Sequence, residues 1–245
     1  MDDLPARMAH ANKLIDGEPR TAGTSPGNIG RLEALCRALA RALPATGVGL
    51  SLLTDDSYAG GTVAASDATS RALEELQFTL GEGPCIDAHA SRRAVLEPDL
   101  HTHGTRRWLG YGPAAHQHGV RAVFAFPLQV GAARAGALDI YCDTPGSLTA
   151  EALTQAFTFA EVAMGLLVDG HGGAAGNQAT TDLDDVLAYR LEVYQAQGMV
   201  MVDLGVRIDE AMARLRGYAY AQGRSISAVA GDIVGGKLRL ERDTK

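Results

Sequence analysis

VFAFPLQVGAARAGALDIYCD, residues 123–143, decides the fold class. VFAFPLQV (123–130) and GALDIYCD (136–143) are apolar runs that alternate, and GAARA lies between them. Alternation at period two around a Gly-containing bend reads as a β-hairpin with one buried face. Upstream, GVGLSLL (47–53), the turn TDDS and GTVAAS (61–66) read as strand, turn, strand, and VLEP (95–98) as a brief strand.

Between the strands the period changes to that of a helix. RLEALCRALARAL (31–43) places Leu32, Leu35, Cys36, Leu39 and Leu43 on one face before PATG ends it. DATSRALEELQ (67–77) reads as a helix opened by Asp67, RRWLGYGPAAHQHGV from 106 as helix or loop, and LTAEALTQAFTFAEVAMGLLV as a helix capped near Thr149 with Glu151 in its first turn. An antiparallel sheet flanked by helices follows over residues 30–168, an α+β domain. Residues 1–29 hold a short helix and the polar stretch RTAGTSPGNIG, and read as a leader or hinge.

Beyond it, DGHGGAAGNQATT (169–181) has the composition of a flexible linker. From 182 to 245 the pattern is helical: LDDVLAYRLEVYQAQGMVMVDL, IDEAMARLRGYAYAQG and SISAVAGDIV, with Asp209 and Ser225 placed to cap and Gly205 and Gly223 to stop helices. A second, all-α domain of three helices with a short basic tail results. Val186, Val193 and Val200 recur at seven residues with Tyr189 and Ala196 between them, which fits either an intramolecular core stripe or a seam against a second copy.

The 245 residues carry a net charge of −7, which argues against broad attraction to nucleic acid or anionic membrane but leaves room for a local basic face. That charge is uneven: from Asp182 onward nine Lys or Arg face ten Asp or Glu, so the acid sits in the body of the chain. Cys36, Cys85 and Cys142 are odd in number and far apart, which suggests neither a disulfide framework nor a clustered zinc site and fits a reducing, cytoplasmic setting. The apolar stretches are broken by charge or Gly, and MDDLPARMAHANKLIDG lacks a signal-peptide pattern, so no membrane segment is expected.

The C-terminal helices resemble the ANTAR domain, an RNA-binding antitermination module. The residues that carry the likeness are Ala196 and Gly198, Val200 and Met201, Leu204 with Gly205, Glu210 and Ala211, Leu215 and Arg216, Ala219, and Val229 with Ala230. Gln197 stands where the family often has a basic residue. The preceding domain is similar to GAF sensor domains through LGEGPCIDA (80–88), VLEPDL (95–100), RRW (106–108) and GVRAVFAFPLQVGAARAGALDIY (119–141).

The resemblance implies a non-enzymatic, homodimeric regulator in which a sensor, taking an unnamed small-molecule ligand, controls an RNA binder that acts on hairpin loops of nascent transcripts. Readers of RNA sequence take splayed loop bases by stacking and base-edge hydrogen bonds. The candidates for this are Arg214, Arg216, Tyr218, Arg224 and Ser225, with Gln197 beside them. In the sensor, Cys85 is either a reactive thiol at a helix start or a small apolar residue closing its loop, and Trp108 either lines a cavity or fills the core.

Other patterns are set aside. Asp55 and Asp56 look like the acidic pair of a phosphate receiver, but the chain has no lysine between Lys13 and Lys237 to complete one, so the pair reads as a turn. His101 with His103 and His116 with His118 share the two-residue spacing of metal ligands, yet lie in loop or helix, and no metal or cofactor is assigned. GYGPAA (110–115) lacks the strand of a dinucleotide loop. Two alternatives stay open: a GAF-type cysteine reductase of a small oxidised substrate, and a DNA-binding helix-turn-helix with GRSIS as its turn.

Overall fold

The computed structural model describes residues 3–19, 25, 27–53, 60–172 and 178–241, with the backbone alone for 169–172 and 178–190. In chain order come α1 (Leu4–Asp16), α2 (Gly27–Ala42), β1 (Gly47–Leu53), β2 (Gly60–Ala65), α3 (Ala68–Leu80), α4 (Pro84–Ser91) and β3 (Val95–Glu97). A π-helical turn over Leu100–Gly104 leads through α5 (Thr105–Arg107) and α6 (Tyr111–Gln117) to β4 (Ala122–Val130), β5 (Ala133–Cys142) and α7 (Ala150–Gly172). Then follow α8 (Gln178–Leu204), α9 (Ile208–Ala221) and α10 (Ile226–Val234). The strands form one antiparallel sheet in the order β2-β1-β5-β4-β3.

The hairpin forms as its alternation predicts, with Phe124 opposite Ile140 and Phe126 opposite Leu138. It differs in one respect: both faces are buried. Phe124, Phe126, Leu138 and Ile140 pack with Leu35, Leu39, Phe159 and Ala163 of α2 and α7. The alternate residues Val123, Ala125 and Tyr141 pack on the other side with Leu73, Ala88, Trp108 and Tyr111. Helices on both sides explain why the run is so nearly continuous in apolar residues.

The stretch read as a leader contains α1, which packs into the first of these cores through Ala11 and Ile15, each 2% exposed. Arg31 fixes it to α2 by bonding Asn12 Oδ1 at 3.1 Å and pairing with Asp16 at 3.2 Å. Helix α7 is, over 150–168, long and apolar enough by composition to cross a membrane, at a mean hydropathy of 1.2, but half of that span is buried within the fold. Its end and the start of α8 extend helically into the 169–181 connection; residues 173–177, the Asp55 and Asp56 pair, and the Val186 and Tyr189 side chains lie outside what is described.

Helix starts follow their caps. Asp67 accepts from the Ser70 N–H at the start of α3, Thr149 from Ala152 N–H at 3.2 Å at the start of α7, and Ser225 from Ala228 N–H at the start of α10. Asp209 does not cap α9: that helix begins one residue earlier, at Ile208, so Asp209 falls in its first turn and pairs with Arg207 at 3.1 Å. Gly205 and Gly223 take left-handed φ of 66° and 60° where α8 and α9 stop.

Helix α3 lies unusually close to β1. A Cβ at Gly47 would collide with Ser70 Oγ, and one at Gly49 would sit 2.6 Å from the Glu74 carboxyl carbon. Two glycines thus leave room for a polar helix face, Ser70, Glu74 and Gln77, to lie against the strand, all three at 2% exposure or less.

Ile15→Ala should destabilise the chain by about 2–5 kcal/mol in urea unfolding, because α1 belongs to the core; a dispensable leader would show no change. Gly49→Ala should cost about 1–3 kcal/mol through overpacking against Glu74, whereas Gly217→Ala, in open space on α9, should gain up to about 1 kcal/mol of helix propensity.

Candidate RNA-binding face and sensor core

The three C-terminal helices share one apolar core of Val193, Ala196, Val200, Leu204, Ala211, Met212, Leu215, Ala219, Val229 and Ile233. Val193 and Val200, two of the three heptad valines, are therefore consumed inside the protein, at 5% and 2% exposure. Gln197 is also buried, and its Nε2 donates to the Ile208 carbonyl at 2.8 Å, clamping α8 to the start of α9. Ser225 is the cap of α10, and shares a hydrogen with Ser227 at 2.8 Å.

The arginines divide by face. Arg214 reaches back one turn to Glu210 at 3.3 Å and lies one turn before half-buried Tyr218, so these two share a side of α9. Arg224 donates to Asp232 Oδ2 at 2.6 Å and to the Ala228 carbonyl at 3.0 Å, leaving its side chain 37% exposed. Arg216 is two residues on from Arg214, about 200° around the helix, and points to the sensor, where its guanidinium covers Gly81. The sequence pattern groups these residues; the helix separates Arg216 from the rest.

That contact is part of a seam between the two domains. Gly81 ends α3 with a φ of 70°, and a Cβ there would lie 2.6 Å from Arg216 Cζ. Two residues earlier, buried Thr79 accepts the Ile226 backbone N–H at 3.2 Å, satisfying a donor at the start of α10. Leu53, Phe78, Cys85 and Ala137 of the sensor join the apolar core of the three helices. Nothing in the sequence pattern announces this seam.

LGEGPCIDA resolves into a set of separate structural tasks. Glu82 Oε1 accepts the N–H groups of Gly110 at 2.5 Å and Tyr111 at 2.8 Å, holding α6 against α3. Gly83 leaves space for the Gln77 carboxamide, Pro84 opens α4, and the Cys85 N–H donates to Gln77 Oε1 at 2.9 Å. Asp87 receives Trp108 Nε1 at 3.1 Å and pairs with Arg107 at 2.7 Å. Trp108 is 2% exposed and meets Tyr111 edge-on at 6.1 Å, so it fills the core.

Behind this loop lies a buried polar network. Glu74 accepts from Ser51 Oγ at 2.5 Å and from the Tyr141 hydroxyl at 2.6 Å; Gln77 Nε2 donates to Asp139 Oδ2 at 2.7 Å. Burial raises the Glu74 carboxyl to about 7 and drives that of Asp139 well above the usual carboxylate range, each reinforced by nearby acid. Burial likewise raises the Cys85 thiol, with Asp139 and Glu74 adding to it, the reverse of the lowered pKa that a helix start alone would favour. All three cysteines are free and buried, and Cys36 and Cys142 belong to a different core from Cys85. The histidines stay apart from this network: His101 and His116 stack at 4.9 Å, and His103 pairs with Glu97.

Among curated proteins none matches the chain. Its fold is similar to the GAF domain of a phosphoenolpyruvate-protein phosphotransferase from Acinetobacter, at 13% identity and a TM-score of 0.50 over 70% of this chain and 97% of that one. The corresponding domain from Coxiella burnetii matches at 14% and 0.52, over 69% and 94%. A type II free methionine-R-sulfoxide reductase from Thermoplasma acidophilum matches at 19% and 0.47, over 58% and 93%. Residues 31–167, more than half the chain, match the GAF domain family, and residues 181–234 match the ANTAR domain. GAF domains sense signals and ANTAR domains bind RNA in antitermination, so the general kind of function is regulatory. The chain belongs to the GAF domain family and carries an ANTAR domain behind its sensor.

Proposed function

We propose that the protein is a signal-responsive antiterminator, in which a sensor over 30–168 is joined by the 169–181 connection to an RNA-binding unit over 182–245. The observation that carries this reading is the match of the ANTAR domain to the helices that the sensor holds by Thr79 and Gly81. The RNA face consists of Arg214 and Tyr218 on α9 with Arg224 and Ser225 at the start of α10. An ion pair as exposed as Arg224 with Asp232 is worth only about 0–1 kcal/mol, so a phosphate or a base edge can replace the aspartate at little loss. Gln197 positions α9 from below.

Arg216 joins the RNA face only when the seam opens, and this makes the docked arrangement the inactive one. A signal that loosens the end of α3 raises the fraction of free RNA-binding unit and with it the apparent affinity. The targets are hairpin loops of nascent transcripts, read in the cytoplasm and away from any membrane.

The active form is a homodimer. Leu191 and Val202 are 67% and 71% exposed on α8, eleven residues apart on one side of the helix, with Gly198 between them facing open space. An apolar stripe around a glycine suits close packing of a second copy of the same helix.

Mobility-shift titrations with hairpin RNA test this. Arg214→Ala with Arg224→Ala should weaken binding at least tenfold with the melting curve preserved, and Leu191→Glu should yield monomers with weakened binding. Thr79→Val, which leaves the Ile226 N–H without its partner at a penalty of about 1–3 kcal/mol, should strengthen RNA binding by about tenfold or more. Undiminished binding by the double arginine variant would overturn the assigned face, and weaker binding by Thr79→Val would overturn the seam as an inhibitory contact.

A further inference from the structure

The polar network beneath α3 contains more acid than its surroundings can hold comfortably. Glu74, Cys85 and Asp139 are each 0% exposed, and one ligand atom from each lies within 4.8 Å of the other two. The groups that bond the two carboxylates are neutral: Ser51, Tyr141 and Gln77. Two carboxylates buried together without a cation cannot both ionise at ordinary pH.

One further atom points the same way. Asp139 Oδ1 has no hydrogen-bond partner among the described residues, although Asp139 is 0% exposed. Fully buried polar atoms are almost always paired, so this orphan requires a reason. A cation seated among the three side chains supplies it for the Asp139 oxygen and balances the charge.

We propose that Glu74, Cys85 and Asp139 form a binding site for a divalent transition-metal ion of the zinc class. The donor set selects the class: magnesium and calcium take oxygen ligands, whereas a thiolate with two carboxylates suits a borderline ion. Around zinc, sulfur at about 2.3 Å and oxygen at about 2.0–2.2 Å place tetrahedral ligand atoms roughly 3.3–3.7 Å apart, so the present arrangement closes by about 1 Å. The surrounding bonds already orient the ligands. Gln77 holds Asp139 through its Nε2 and the Cys85 backbone through its Oε1, while Ser51 and Tyr141 hold Glu74. On binding, the Cys85 thiol and any protonated carboxyl release their protons to solvent, and three anionic donors around a dication leave one net negative charge among neutral hydrogen-bond donors.

The position of the site gives it a consequence, which rests on the regulatory reading above. Glu74 and Thr79 lie on the same helix, and Cys85 shares the apolar core of the seam. Drawing α3 and α4 together around an ion therefore shifts the end of α3 that holds α10.

Cobalt titration of the chelator-treated full-length protein tests the site itself. One equivalent of Co²⁺ should give the visible bands of a tetrahedral site and the near-ultraviolet thiolate charge-transfer band, both removed by Zn²⁺. Cys85→Ser should lose the charge-transfer band, and Asp139→Asn, which can still accept from Gln77, should bind at least about tenfold more weakly. Far-ultraviolet dichroism and melting curves show which variants remain folded. A featureless titration of the folded wild type, or an unchanged spectrum in both folded variants, would overturn the site. Hairpin-RNA titrations with and without Zn²⁺ are read separately: a normal cobalt spectrum with unaltered RNA affinity removes the link to the seam, and absence of RNA binding under every condition removes the antiterminator reading while the cobalt result stands.

Discussion

The close approach of α3 to β1 is the constraint on which the rest of the molecule depends. Gly47 and Gly49 strip the strand of side chains where the helix crosses it, and Ser70, Glu74 and Gln77 fill the space. A polar helix face set against a sheet is stable only if its hydrogen bonds close, and here they close on Ser51, Tyr141, Asp139 and the Cys85 backbone. Those bonds tie β1, β5 and α4 to one helix. The orientation of α3 is thereby fixed, and with it the place where its last residues, Phe78 to Gly81, meet the RNA-binding unit.

Helical geometry then sorts the arginines. Arg214 and Arg216 are neighbours in sequence yet about 200° apart on α9, so a helix that docks by one must present the other. The sensor takes Arg216 over Gly81, a left-handed position without a Cβ, and leaves Arg214 beside Tyr218 on the outer side. In the proposed antiterminator, docking is thus compatible with a partly formed RNA face and incompatible with a complete one.

The hairpin at 123–143 was legible because strand period and turn chemistry agree there, and the caps at Asp67, Thr149 and Ser225 were legible because their hydrogen bonds are local. Burial of the second face of the sheet was not, since it depends on α4 and α6, which follow an irregular Gly- and Pro-rich stretch. Glu74 was least legible of all: a glutamate in the middle of an amphipathic helix has the pattern of a solvated residue, and only the glycines of a strand 25 residues earlier show that it points inward. Cys85 was read from its own loop, whereas its thiol is pushed up first by burial in the folded core and then by Asp139 and Glu74, which the fold brings beside it. Of the residues proposed for the RNA face, Gln197 and Ser225 are engaged in holding the helices together, a role decided by the turn geometry between them.

The energetics of the seam suit a switch better than a permanent joint. Its polar part includes the Thr79 contact, worth about 0.5–1.5 kcal/mol net, and the Arg216 guanidinium over Gly81. Its apolar part adds Leu53, Phe78 and Ala137 to a core that the three helices already close among themselves. Reversing a docked population from 99:1 to 1:99 needs about 5.5 kcal/mol, the differential that the proposed regulation asks of a ligand bound beneath α3, where a small shift of the helix end acts against a closely packed surface. The same shift would leave a purely polar, solvated contact almost unchanged. Placing buried Glu74 and the seam's Thr79 on one helix, five residues apart, makes that helix the shortest mechanical link between the polar network and the seam.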